Sequence, residues 1–144
     1  MVTLDQSQCG TIAAKIVTDY GDGTLQPGRY IFDQITTIPT GVAGVRMKAA
    51  ELLSSLHDNE FILIVDPHPN NKPFAAQVAE TFGAPGSLGF RVDKDEALAA
   101  FSYDNCDMYL TRDDGTLIAV GTHEDPGSHN NRLIWVPRRE PIPG

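Results

Sequence analysis

The chain is short of cysteine, of long apolar runs and of basic charge, and each shortage removes a class of function. Only Cys9 and Cys106 are present. Two thiols far apart in sequence, with no Cys-x-x-Cys pair and no Cys/His array, leave no basis for a structural zinc site or a disulfide framework. They read as free thiols in a reducing compartment. The densest apolar run is Phe-Ile-Leu-Ile-Val at 61–65, far short of the ~20 residues that span a bilayer. The opening Met-Val-Thr-Leu-Asp-Gln-Ser-Gln-Cys-Gly has neither a basic region nor a long apolar core, so it does not read as a secretory signal. The expectation is a soluble, cytoplasmic protein.

Basic side chains number 11 against 19 acidic ones, for a formal net charge of −8. An acidic surface repels phosphate, so neither nucleic acid nor membrane is expected as a partner. Several catalytic signatures are missing as well. There is no Gly-x-Ser-x-Gly elbow. Gly-Asp-Gly-Thr-Leu-Gln-Pro-Gly at 21–28 lacks the Gly-Lys-Ser/Thr ending of a phosphate loop, and Ala-Pro-Gly-Ser-Leu-Gly-Phe at 84–90 lacks the spacing of a dinucleotide site.

What remains is an ordinary globular composition, 41% hydrophobic and 21% charged. A length of 144 residues suits one domain over 1–144. A chain of this size buries roughly 68–70% of its unfolded surface, enough to fold without metal or disulfide. The 13 glycines and 10 prolines are dispersed, which favours many turns over a disordered tract.

Patterning predicts the elements. Residues 11–20 suit a short helix or a strand; strands are expected near 11–18 and, from the β-prone Arg-Tyr-Ile-Phe, near 29–35. Val45, Ala49, Leu52, Leu53 and Leu56 fall on one helical face and predict a helix over 40–57, with His57 at its end. Phe61–Val65 is apolar on both parities, which predicts a central strand buried on both faces. Asn70 or Asn71 would cap a helix carrying Pro73, Phe74, Val78 and Phe82. A short strand, Gly-Phe-Arg-Val at 89–92, leads to Asp93 and Glu96, a capping-box pattern for a helix through Phe101. Strands at 106–111, 116–122 and 132–136 read as an antiparallel meander with a turn at Asp113-Asp114-Gly115. On its strand's apolar parity, Cys106 is expected to be a buried, inert thiol, and Trp135 a core residue. The fold class is α+β, with a mixed sheet of five or six strands, two or three helices and a C-terminal meander.

Chemistry concentrates in two places. Asp66 and His68 follow one expected strand; His123, Glu124, Asp125 and His129 follow another. Carboxylates and imidazoles bind divalent cations when three or four converge. If the two strands run in the same direction, these candidate binding residues become neighbours. Asp66, His68 and His123 would then hold one ion, and Glu124 or Asp125 would activate a bound water. Asp66-Pro67-His68 and Gly121-Thr122-His123-Glu124 resemble two pieces of the calcineurin-like metallophosphoesterases. That family's intervening Gly-Asp-x-x-Asp is absent here, so the resemblance assigns no role to any residue. The competing reading is a polar turn, with Asp125-Pro126-Gly127 reversing the chain.

Two classes of function therefore stand. One is a small acidic protein-binding module, of the immunity or inhibitor type, for a basic partner, using Asp93, Asp95, Glu96, Asp113, Asp114, Glu124 and Asp125. The other is a metal-dependent hydrolase built on the histidine clusters. An exposed edge from Arg-Leu-Ile-Trp-Val at 132–136 would also allow a homodimer.

Overall fold

A computed structural model of the chain describes residues 2–21, 23–25, 31, 34–37, 42–44, 49–65, 89–101, 107–121 and 133–136. The side chains of Thr3, Gln6, Val42–Gly44, Leu133 and Trp135 lie outside that description. The elements in chain order are β1 (Val2–Thr3), α1 (Gln6–Tyr20), β2 (Val42–Gly44), α2 (Ala49–Ser54), β3 (Glu60–Val65), β4 (Gly89–Asp93), α3 (Lys94–Phe101), β5 (Met108–Thr111), β6 (Leu117–Gly121) and β7 (Leu133–Trp135).

The strands form one sheet in the order β1-β4-β3-β5-β6-β7-β2. Four strands of four or more residues, β4-β3-β5-β6, make its body, and three strands of two or three residues extend it. The α+β class is as the sequence reads. The expected mixed sheet of five or six strands is not, because every pairing among the described strands is antiparallel. The pairing of β3 with β4 shows the difference: Ile64 pairs with Gly89 and Glu60 with Asp93, so β4 begins beside the end of β3 and runs back along it.

Phe61–Val65 is the central, doubly covered strand that its composition predicts. It lies between β4 and β5, and all five residues are buried. One face, with Phe61, Leu63, Phe90, Val92, Met108 and Leu110, packs on Ala49 and Leu53 of α2 and on Ala97, Ala100 and Phe101 of α3. The other, with Ile62, Ile64, Tyr109, Leu117 and Val120, packs on Ile12, Ala13, Ile16, Val17 and Tyr20 of α1. Each fully buried aliphatic or aromatic side chain in these layers contributes about 1.5–3 kcal/mol. Between β5 and β6 the register slips: Leu110 faces Ala119 while Thr111 faces Leu117, so Ile118 is the extra residue of a bulge. Ile118 and Ala119 consequently join the same core layer.

The stretch at 11–18 is helix, not strand. Its β-branched residues favour extended chain locally, but a capping box decides the matter. Gln8 N–H donates to Asp5 Oδ1 at 2.7 Å, and Asp5 N–H is paired with the Gln8 side chain. Ile12, Ala13, Ile16, Val17 and Tyr20 then share one buried stripe. In the stretch at 29–35, Ile31 lies in a turn and Ile35 makes only an isolated bridge with Gly21; residues 29, 30, 32 and 33 lie outside the description. The helix expected over 40–57 is confined to Ala49–Ser54 in the described chain, because Val42–Gly44 pair with β7 as strand β2. His57 lies beyond that helix and is exposed.

The meander is present: β5, β6 and β7 pair consecutively. β7 is not an edge, however. β2 covers its outer side, which removes the stated basis for a dimer through Arg-Leu-Ile-Trp-Val. The helix expected over 73–82 and Cys106 lie outside the described residues. Among the described residues, no helix is long and apolar enough to cross a membrane.

Candidate functional site: two edges of one sheet

The antiparallel sheet has two ends, and they differ in chemistry. At one end β3 and β6 finish. Val65 pairs with Met108, and Met108 pairs with Gly121. β3 and β6 therefore run in the same direction with β5 between them, and their last residues stand in one row. With strands about 4.7–4.9 Å apart, Val65 and Gly121 are separated by about 10 Å. The sequence continues from Val65 into Asp66-Pro67-His68 and from Gly121 into Thr122-His123-Glu124-Asp125. Asp66, His68, His123, Glu124, Asp125 and His129 themselves lie outside the described residues. Among the described residues no group of three His, Cys, Asp or Glu side chains is placed to hold a metal ion.

The sequence assigned no role to Asp107, which lies one residue before that row and is 2% exposed. It directly precedes Met108, at the start of β5. One signal was available. Asp107 shares parity with Tyr109 and Thr111, both of which are fully buried. A tyrosine on that parity, two residues from Asp107, marks the face as covered.

Cys9 also lies near this end. Leu4 N–H donates to Gly89 O at 3.0 Å, which ties the start of α1 to the start of β4. Burial, reinforced by the charge of Asp5, pushes the Cys9 thiol above the ordinary cysteine value. A thiol held protonated is a poor nucleophile.

The opposite end is acidic and exposed. Here β3 and β6 begin, β4 and β5 end, and α3 starts. Glu96 N–H donates to Asp93 Oδ1 at 2.8 Å and Asp93 N–H donates to Glu96 Oε1 at 3.0 Å, the reciprocal box expected from the sequence. Arg91 Nη1 donates to Glu60 Oε1 at 3.1 Å and also to Asp113 Oδ1. Asp113 and then Glu60, by those hydrogen bonds, raise the arginine's already high pKa. Arg112 Nε donates to Asp58 Oδ2 at 2.9 Å, joining the loop before β3 to the β5–β6 turn. Lys94 Nζ donates to Leu56 O. Within the turn, Thr116 N–H donates to Asp114 Oδ1 at 2.9 Å. Hydrogen bonds from the Thr116 side chain and backbone hold the Asp114 carboxyl below the usual aspartate range.

The contact surface expected for a basic partner is thus divided. Asp93, Asp95, Glu96, Asp113 and Asp114 share the acidic end, whereas the strand that leads into Glu124 and Asp125 finishes at the other. No protein family, curated protein or solved structure matches the chain.

Proposed function

We propose that the chain is a small, acidic, cytoplasmic protein-binding module of the inhibitor or immunity type, and that it meets a basic protein through the acidic end of its sheet. One observation carries this reading. Asp58, Glu60, Asp93, Asp95, Glu96, Asp113 and Asp114 gather on the strand ends and turns of that end, against Arg91, Lys94 and Arg112. The most open of the arginine-paired acids, Asp113 at 72% and Glu60 at 57%, gain little from those exposed pairs. Their negative field remains directed outward. Such a field raises the association rate of a cationic partner and fixes its orientation.

The test is binding of the full chain to a panel of immobilised basic proteins across a salt series. It compares Asp95→Asn/Asp113→Asn with Asp19→Asn/Glu51→Gln, which changes charge equally elsewhere. A saturable response that falls with salt and is lost in the first pair alone supports the reading. Equal loss in both pairs, or no saturable response, rejects it.

A second reading is favoured by the row Val65–Met108–Gly121, which meets the condition that β3 and β6 run in the same direction. In it the chain is a metal-dependent hydrolase. Asp66, His68 and His123 would hold one divalent ion, which would supply Lewis-acid activation of water, with Glu124 or Asp125 as the candidate base and His129 a further candidate binding residue. Metal content of tag-free protein, followed by zinc and manganese titration of wild type and His123→Ala, decides it. One ion per chain, lost in the variant, supports the hydrolase; no ion and no titration signal reject it.

A further inference from the structure

The turn between β5 and β6 carries a covalent reactivity that its own geometry requires. Gly115 adopts φ 84°, a conformation that favours glycine. A glycine after an aspartate also leaves its backbone nitrogen open to the aspartate's carboxyl carbon, because no Cβ stands in the way. Gly115 N can then attack Asp114 Cγ. The amide proton leaves with a carboxyl oxygen as water, and a cyclic imide forms. Solvent water reopens the ring on either side. Attack at Cγ restores aspartate. Attack at the former Asp114 backbone carbonyl gives isoaspartate, in which the chain runs through Cβ and Cγ.

The native turn opposes each part of that reaction. Thr116 N–H donates to Asp114 Oδ1 at 2.9 Å and fixes the carboxylate. The donors on Thr116 also favour its ionised form, which is the poorer electrophile. Gly115 N–H donates to Arg112 O at 2.9 Å, and Arg112 N–H donates to Thr116 O at 3.0 Å, so the attacking nitrogen is paired inside a closed turn. Asp114 is exposed, but Gly115 is buried. The Lys15 stem covers it, with Cδ 2.8 Å from where a Cβ would stand, and Asp19 holds the lysine head at 3.0 Å.

We propose that Asp114-Gly115 is a conformation-gated modification site, closed in the native turn by Thr116, Arg112 and the Lys15 stem and converted to isoaspartate when the turn opens. Isoaspartate lengthens the backbone by a carbon and displaces Gly115 from its bond to Arg112. A chain that has opened here keeps a covalent record of it.

The sequence supplies an internal reference, because Asp22-Gly23-Thr24 repeats the tripeptide Asp114-Gly115-Thr116. The full chain is incubated at neutral pH in buffer and in urea beyond its unfolding midpoint. Isoaspartate at each site is quantified by electron-transfer fragmentation of the peptides. In urea the two sites are expected to react at similar rates. In buffer Asp114 is expected to react at least about 10-fold more slowly than in urea, in proportion to the population of the open turn. The double variant Lys15→Ala/Thr116→Val is expected to react several-fold faster than wild type in buffer. Equal rates for Asp114 in buffer and in urea overturn the proposal, as does an Asp114 that stays intact in urea while Asp22 reacts. A folded double variant that keeps the wild-type rate in buffer overturns it as well. Should the double variant fail to fold, the wild-type comparison of buffer with urea decides.

Discussion

Arg112 Nε donates to Asp58 Oδ2 at 2.9 Å, and the two side chains are only 23% and 19% exposed. The pair fastens the chain just before β3 to the turn between β5 and β6, 54 residues away in sequence. Exposed ion pairs contribute about 0–1 kcal/mol, whereas removing one partner of a buried pair costs about 3–5 kcal/mol. This pair falls between those limits. Arg112→Ala and Asp58→Ala should each cost about 1–2 kcal/mol in urea unfolding, with a coupling of about 1 kcal/mol in the double-mutant cycle. Strictly additive losses would show that the two side chains act independently.

Asp114 gives the acidic end a pH signature. Its carboxyl titrates below the unfolded value, because Thr116 donates to the ionised form. A depressed folded value stabilises the native state at pH above the unfolded value of about 3.9. That contribution is lost as pH falls from there through the folded value. Asp114→Asn should therefore be less stable than wild type at neutral pH, and the gap should close on acidification below about pH 4. The comparison is of denaturation midpoints at a series of pH values. A gap that is constant down to acid would locate the effect in shape rather than in charge.

Where the sequence was legible, local pattern and tertiary environment agreed. Phe61–Val65 is apolar on both parities, and both faces of β3 are covered by helices. Asp93 and Glu96 form the box that their spacing implies. Residues 11–18 misled because Thr11, Ile12, Ile16, Val17 and Thr18 are β-branched. The signal that mattered lay upstream, in Asp5 and Gln8. Strand direction was not legible at all. A helix-like segment between two strands suits a parallel crossover and an antiparallel return equally, and only pairing distinguishes them. The closeness of the ends of β3 and β6 was available in the same sense, as a condition on direction that the register of β5 decides.

Gly115 carries the turn between β5 and β6. It is the positive-φ residue among those described, at φ 84°, and its N–H donates to Arg112 O at 2.9 Å. An added Cβ would also lie 2.8 Å from Lys15 Cδ, the aliphatic stem that covers the turn from α1. The lysine can move; the backbone strain cannot be relieved in the same way. Gly115→Ala should cost about 1–2 kcal/mol, and Gly115→Asn, which tolerates this region better, should cost less. Equal losses for the two would point to the Lys15 contact instead of the backbone.

The contact between α1 and β4 can be tested by an exchange of volume. Gly89 starts β4 beneath α1, and a Cβ there would overlap Cys9 Sγ and lie 3.0 Å from Ile64 Cδ1. Leu4 N–H is already bonded to Gly89 O, so the backbone has little freedom to withdraw. Overpacking of this kind costs about 1–3 kcal/mol, and Gly89→Ala should lose that much. Cys9→Ala removes the sulfur that the new methyl would strike. The double variant should therefore be more stable than Gly89→Ala alone, with a coupling of about 1 kcal/mol or more opposite in sign to the loss. The same variants report on the thiol. Because burial raises the Cys9 value, the wild-type native state favours the protonated thiol and loses stability as pH rises above the unfolded value of about 8.5. Cys9→Ala should lack that part of the alkaline decline. A double variant no better than Gly89→Ala, with an unchanged alkaline limb in Cys9→Ala, would remove Cys9 from the interface between α1 and β4.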